Sequence, residues 1–512
     1  MIFRRKRKAK NINQQPIANH PSEQQQKDKW KMDEQRLREL FHKSPDVIFQ
    51  KFCFGEENKQ DVLLIKCEGM IDNEALNHLI YERLEAFFQH LGQRPLTNEI
   101  VIERLHAPSL TEVQNAQEII SGVFSGKLLL YFMNEQLLFS ADISKRPQRK
   151  PEETTAEVVV NGPRDDFIED ITINIALIRK RLRTNSLCIE KFEVGRRTLT
   201  TVAMLYIDDI ANEEIVNGVR EKIANIDVDA ILSGQQLMEL IHKSPRIFPR
   251  HDYTGRPDFA VHSLLSGRIV VILDGSSYVN IVPANLFLLL KAAEDYDITP
   301  YFSSFERIMR VVGLLIATFI PALWLALTTF HQNQIPLILL ATVVESRKGL
   351  PFPSAVEAII MLLIFELFRE AGLRLPIAIG QTLSVFGGLI IGDAAIRAGL
   401  TSPAMLVVIA GSTIATFTFV NQSLVGMVSL LRIFSLVFAA FLGLYGFLLS
   451  IFIILIYLAS VRVFGIPYME MAANLSLKNI LTAIFRLSAK KYTTRPEMFH
   501  PNDAYRKGDN PS

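Results

Sequence analysis

Apolar and polar positions divide the chain into two unlike parts. From about residue 45 to 290, short β-branched runs alternate with amphipathic stretches at helical spacing, the pattern of strands interleaved with helices. From Val311 to Val461 the pattern changes, with only 11 charged residues in 151 positions. Four runs there, 311–330, 375–392, 402–431 and 433–459, carry no charge and are long enough to cross a bilayer, which takes roughly 20 apolar residues in a helix. One such run could be a buried helix of a soluble core; four in series point to an integral membrane protein.

The stretch between the first two runs is harder to place. Residues 335–344 are ten apolar positions, and 355–368 is interrupted by Glu357 and Glu366, so both are short for full crossings. Basic residues mark the cytoplasmic flanks of membrane helices. Arg307 and Arg310 precede the first run, and Arg462, Lys478, Arg486, Lys490 and Lys491 follow the last. Both ends are then cytoplasmic, which requires an even number of crossings. Four spans satisfy this, at about 311–330, 375–392, 402–422 and 433–459, with 335–370 re-entrant or interfacial and a turn near Asn421 and Gln422. Six spans satisfy it as well if both short stretches cross.

The rest of the chain reads as α/β. Residues 1–31 are basic and Gln-rich with too little apolar surface to offset ordering, so a disordered tail is expected. Self-comparison then finds a repeat. The strand-like run from Val62 leading to Asp72 matches the run from Val202 leading to Asn212, 140 residues on. The run from Phe124 through Lys127 matches that from Leu265 through Arg268, one residue further displaced, and each continues as a hairpin. Asp274-Gly275 supplies the positive φ such a turn needs. Two similar subdomains follow, 32–150 and 151–306, joined by the Pro-bearing polar segment 145–151. The fold class expected is an α/β cytoplasmic domain of two subdomains, then an α-helical polytopic membrane domain over 307–470 and a cytoplasmic tail over 471–512.

Composition narrows the function. The 512 residues carry a net charge of +2, and 97 of the 108 charges lie outside 311–461, so no basic surface for nucleic acid is indicated. Three separated cysteines, Cys53, Cys67 and Cys188, make neither a disulfide framework nor a zinc site. The start MIFRRKRKAK is not followed by an apolar stretch, so a cytoplasmic N-terminus is expected. His242, His251 and His262 are spaced unlike metal ligands and are read as surface or packing residues. No nucleophile elbow, P-loop or dinucleotide fingerprint is present, so neither an enzyme nor a cofactor is expected.

Candidate residues fall in three groups. Arg164 and Asp165, after Gly162-Pro163, open the helical run 171–182, where acidic residues at the start and basic ones at the end would complement the helix dipole; a docking surface is the equally weighted alternative. Arg256 and Asp258 flank Pro257 in a loop that would fix subdomains or dock at the membrane. Glu294 and Asp295 read as a solvated interfacial segment. Between the spans, Glu357 reads as the far half of a capping box with Ser354 as N-cap. Glu366, Arg369 and Glu370 share a helical face, with Arg374 one turn on, and can pair. For a pore, 375–392 carries Gln381, Ser384 and Gly388 and ends beside Asp393, so small and polar positions could line a wet path with an acidic mouth, although helix packing through Gly388 and Gly392 explains them as well. Ser384, Gly388 and Ile391 share a stripe that an oligomer would turn into a narrow gate.

Six ordered blocks carry a resemblance: GPRDDFIEDITINIALIRKRL (162–182), EVGRRT (193–198), FPRHDYTGRPD (248–258), GRIVVILDG (267–275), PFPSAVEAIIMLLIFELFREAGLRLP (351–376) and FGIPY (464–468). In these the chain resembles the A subunit of the GerA family of spore germinant receptors. The resemblance implies a subunit of a nutrient-responsive complex in the inner membrane of dormant spores, working with a permease-like B subunit and a lipoprotein C subunit. It further implies a homo-oligomer in contact with lipid that takes part in a germinant-gated ion channel, and no enzymatic activity. A solute transporter subunit and a membrane-tethered scaffold are the competing expectations; the first should show inverted repeats, and four spans exceed what the second needs.

Overall fold

The computed structural model describes residues 33–55, 59–91, 95–145, 163, 165–242, 247–374, 392–469, 485–486, 494–503 and 505–506. Helix α1 (Glu34–Leu40) leads into strands β1 (Val47–Phe54) and β2 (Gln60–Cys67). Helix α2 (Glu82–Leu91), strand β3 (Thr111–Glu112), helix α3 (Ala116–Val123) and the hairpin of β4 (Lys127–Phe132) and β5 (Leu137–Asp142) complete an antiparallel sheet of order β1-β2-β4-β5-β3. After helix α4 (Ile171–Arg181) the same design returns. Strands β6 (Leu187–Val194) and β7 (Thr200–Ile207), helix α5 (Glu213–Ala224), strand β8 (Asp252–Thr254), helix α6 (Pro257–Leu264), and strands β9 (Ile269–Leu273) and β10 (Val279–Val282) form a sheet of order β6-β7-β9-β10-β8.

The repeat read from two short matches is therefore a repeat of the whole topology. β1 and β6, like β2 and β7, start and end 140 positions apart. Asp72 and Asn212 each cap the helix that follows, accepting from the backbone N–H two residues on. In β7, Val202 and Met204 face one core with α5, while Ala203 and Leu205 face another with α4 and α6. Central strands covered on both faces read as unbroken apolar runs, as β9 (IVVIL) does.

Beyond the sheets lie helices α7 (Pro300–Thr329), α8 (Leu337–Ser346), α9 (Ser354–Arg374), α10 (Pro403–Thr416) and α11 (Gln422–Ser460). By length and composition, α7 and α11 are long and apolar enough to cross a membrane. Straight, the 39 residues of α11 would extend about 58 Å at ~1.5 Å per residue. Yet its N-cap Asn421 bonds Asp252, and Tyr457 near its other end packs 5.3 Å from Phe248, four residues away from Asp252 in the chain. The helix is folded back at Gly443, whose φ of 61° and ψ of −138° are not helical. The arms 422–442 and 444–460 both lie on α7, with Phe447 returning to 6.3 Å from Phe319.

Several expected segments are corrected. The run 433–459 is not one pass: it covers parts of both arms. The run 402–422 divides into the 14-residue α10 and a turn that ends at Asn421. In the region 335–370, expected to be re-entrant or interfacial, α8 has ten residues and α9 is a continuous 21-residue helix whose Ala358, Met361 and Leu362 are buried against Leu325, Ile409 and Leu436. Residues 375–391 of the remaining expected span lie outside the described residues. Nor does packing stop at 306/307: one buried cluster runs from Leu205 and Val270 of the second sheet through Leu286–Leu290 to Ala317, Val428 and Leu458.

Candidate functional site

The first constellation joins the two sheet units. On α4, Asn174 holds the preceding loop by accepting from Ile168 N–H (2.8 Å) and donating to Ile168 C=O (2.5 Å). Five residues on, Arg179, 0% exposed, reaches into the first unit. Its Nε donates to Asp46 Oδ2 (2.8 Å) and its Nη2 to Asp46 Oδ1 (3.0 Å) and Ser44 Oγ (2.9 Å), while the guanidinium covers the Phe124 ring at 4.1 Å. Its other bonds go to Thr184 C=O and Leu187 C=O of the second unit. Arg179→Ala should cost about 3–5 kcal/mol, because it strands the buried Asp46 carboxylate. The double change Arg179→Met with Asp46→Leu should recover most of that in thermal unfolding; equal losses would refute the pairing.

Of the expected docking residues, Asp165, Arg256 and Asp258 have partners within the chain. Asp165 pairs with Arg181 and with Lys180 (3.6 Å) at the far end of α4, so it does not serve the helix start; that role belongs to Asp170, whose carboxylate accepts from Thr172 N–H at 2.7 Å. Arg256 donates from Nε to Asp258 Oδ1 (3.1 Å) and from Nη2 to Asp258 Oδ2 (2.7 Å), and stands 3.4 Å from Asp297. It braces the entry to α6. Arg164 lies outside the described residues.

The second constellation lies where the sheets meet the bundle. Asp295, expected on a wet surface, is 0% exposed. Its carboxylate accepts from Arg307 Nε (2.7 Å) and from Arg310 Nη2 (2.9 Å) and Nη1 (3.1 Å) at the start of α7. Nearby, Asn421 Nδ2 donates to the buried Asp252. Burial pushes the Asp252 carboxyl up to about 6, against the pull of Asn421, the Tyr253 N–H and the charge of Arg268. His251 and His242 stack at 5.9 Å in the same region; burial draws them down to about 4 and about 3, and they serve as packing residues. The hairpin 462–467 places Phe464 under Lys222, 4.2 Å from the ring centroid, and Tyr468 C=O accepts from Leu286 N–H at 3.3 Å.

A carboxyl whose folded pKa is raised stabilises most while protonated, and that contribution is lost as pH rises from about 4 through about 6. The depressed histidines act the other way, stabilising above about 6.5 and less as pH falls. Comparing wild type with Asp252→Asn isolates the carboxyl. The variant should gain in melting temperature on wild type as pH rises from 4 to 7 and then level off; a gap independent of pH would refute it.

The third constellation is in the bundle. Glu366 pairs with Arg369 on its own helix and stands 3.4 Å from Arg432 of α11, which is 1% exposed. Arg432 Nη1 also donates to Ser412 (3.3 Å) and Thr413 (3.4 Å) of α10, and Arg369 Nη1 to Ser429 (3.0 Å). Three helices are thus tied by ionised groups in apolar surroundings, where each depends on its partner. Glu357 does not close a capping box with Ser354, which is the first residue of α9. Its Oε1 accepts from Ser402 N–H (2.6 Å), Ser402 Oγ (2.7 Å) and Thr401 Oγ1 (3.1 Å), so it caps the start of α10. Asp393 pairs with Arg397 at 2.7 Å on an exposed short helix. Glu370 and Arg374 lie on the last turns of α9, and Gln381, Ser384, Gly388 and Ile391 lie outside the described residues. Among the described residues no group of three or more His, Cys, Asp or Glu is placed to hold a metal ion.

The sequence profile described as Bacillus/Clostridium GerA spore germination protein matches residues 35–498. The chain belongs to the GerA family. Spore germination protein XA of Bacillus anthracis is 38% identical over 488 residues, covering 94% of this chain and 98% of that protein. Spore germination protein KA of Bacillus subtilis is 32% identical over 466 residues, covering 91% and 86%. The crystal structure of the N-terminal domain of the A subunit of the Bacillus megaterium spore germinant receptor GerK3 is 27% identical, with a TM-score of 0.39, covering 49% of this chain and 92% of that one. In this GerA-family chain, the block 248–258 supplies Phe248, Asp252 and Arg256, and the block 464–468 supplies Phe464 and Tyr468, so both blocks meet at the junction of sheets and bundle.

Proposed function

We propose that this chain is the A-type subunit of a nutrient germinant receptor and that its helical bundle forms part of a nutrient-gated ion path. A permease-like B subunit, a lipoprotein C subunit and further copies of the chain would complete the assembly, in the inner spore membrane with both termini cytoplasmic. The observation that carries the reading is the unbroken buried core from the second sheet into α7 and α11, reinforced by Asp295 with Arg307 and Arg310. A rigid connection of this kind lets a change in the sheet domain reach the bundle without a flexible linker. By length and composition α7 and α11 are the described helices that could cross a membrane, and cytoplasmic termini ask for an even number of crossings.

The test is ion release from liposomes holding the full receptor, with and without nutrient. Nutrient-dependent release supports the channel; nutrient uptake without ion release would favour a transporter, and neither would favour a scaffold. Ile391→Ala should raise release in the absence of nutrient, and unchanged basal release would remove Ile391 from the gate.

A further inference from the structure

Comparison of the two sheet units shows one surface covered in two different ways. In the first unit, the turn after β2 is closed by Met70 N–H donating to Cys67 C=O, and in the second, 140 residues on, by Ile210 N–H donating to Ile207 C=O. In the first unit this turn is covered by the chain that follows β5. Lys145 N–H donates to Met70 C=O (3.0 Å), Ile71 pairs with Ser144, and Asp72 N–H donates to Ile143 C=O (3.0 Å). In the second unit the chain after β10 turns away through Pro283 and Asn285 towards α7, and the equivalent acceptors are taken by the C-terminal segment. Asn502 N–H donates to Ile210 C=O (3.1 Å), Asn502 Nδ2 to Ala211 C=O (3.0 Å), and Asn212 Nδ2 to His500 C=O (3.4 Å).

The cover is anchored in the core. Phe499 is 1% exposed among Ile269, Val271 and Ile466, with the Arg268 guanidinium 4.4 Å from its ring centroid. Gly126 and Gly267 occupy matching places with the same φ of 88°. A Cβ on the first would meet Ser144 at 2.9 Å, and one on the second would meet the Cβ of Phe499 at 3.8 Å. From here a short chain of bonds leads to the bundle. Asn285 Nδ2 donates to Met498 Sδ (3.3 Å), Asn285 Oδ1 accepts from Leu288 N–H (2.9 Å), and Leu286 N–H donates to Tyr468 C=O, just after the last arm of α11.

We propose that residues 498–502 are a latch: they complete the second sheet unit as 143–145 complete the first, and by holding Asn285 they fix the point where the bundle's last arm returns to the sheets. The occupant of this surface is the chain's own C-terminal segment, and the proposal stands whether or not the bundle conducts ions. The expected C-terminal tail is then, at these positions, part of the domain.

The test uses the full chain in membranes without nutrient. Trypsin should cut after Arg506 at least tenfold more slowly in wild type than in Phe499→Ala. Amide exchange at Leu286 and Leu288 should be at least tenfold faster in the variant, while exchange in β2 and β4 of the first unit stays unchanged. Since Phe499→Ala could loosen the whole second unit, a chain ending at residue 493 is compared with and without an added peptide of residues 494–506. Slowing of Leu286 and Leu288 exchange by the peptide supports the latch. Equal cutting in wild type and variant, or a peptide that leaves exchange unchanged, would overturn it.

Discussion

Replacing Asp295 by Ala should lower stability by about 3–5 kcal/mol, the range for removing one partner of a buried ion pair. The carboxylate is wholly buried between Arg307 and Arg310, whose side chains are 4% and 10% exposed. Without it Arg310 keeps Leu290 C=O and Glu306, whereas Arg307 loses its ion-pair partner in an apolar setting. Asp295→Asn should fall between, since an amide oxygen can still accept from Ala292 N–H and from one guanidinium. Thermal unfolding of the purified chain in detergent reads the order wild type, Asn, Ala. An Ala variant that melts with wild type would show that the triad does not hold the junction.

Gly443→Val should prevent α11 from folding back. Its φ of 61° and ψ of −138° lie near a region that essentially only glycine occupies, which alone costs about 1–3 kcal/mol for another residue. A Cβ there would also sit 2.9 Å from Cβ and Cγ of Phe330, closer than side-chain carbons approach. Cysteines at 319 and 447, whose rings are now in contact, should cross-link in an otherwise wild-type chain and lose most of that cross-linking with Gly443→Val. Gly443→Ala together with Phe330→Ala relieves the clash and keeps the backbone cost, so it should restore part of the signal. Full cross-linking in the Val variant would mean that the arms meet without the glycine.

Much of the sheet domain was legible because β-strands leave local marks. The apolar runs at 62 and 202, the caps Asp72 and Asn212, and the Ser-Gly steps before β4 and β9 recur at displacements of 140 or 141 residues, and topology follows from them. The bundle was less legible, since hydropathy reports how long an apolar run is but not where it reverses. Gly443 sits in an uncharged run among other glycines, and its role depends on φ. The ionised residues failed for another reason. Arg179 was hidden in the basic run 179–181, where dipole complementarity explained it adequately, and Asp295 stood beside Glu294 as if both faced water. Arg432 had the clearest signal, being the only charge between Arg397 and Arg462, but it lies between two charge-free runs, 402–431 and 433–459, and belongs to neither.

The fold-back at Gly443 also decides what the far side of the bundle exposes. Two arms joined through one residue leave no loop at their apex, so among the described residues that side consists of the turn 330–336, the stretch 347–353 and the stretch 398–402. The last two meet, with Gly399 against Gly349, and the charges beside them are paired, Lys348 with Glu345 and Arg397 with Asp393. Among the described residues, a molecule arriving from the side opposite the sheets would meet a small, glycine-hinged knuckle whose cations already stand beside carboxylates of the same chain, Lys348 beside Glu345 and Arg347 beside Glu357.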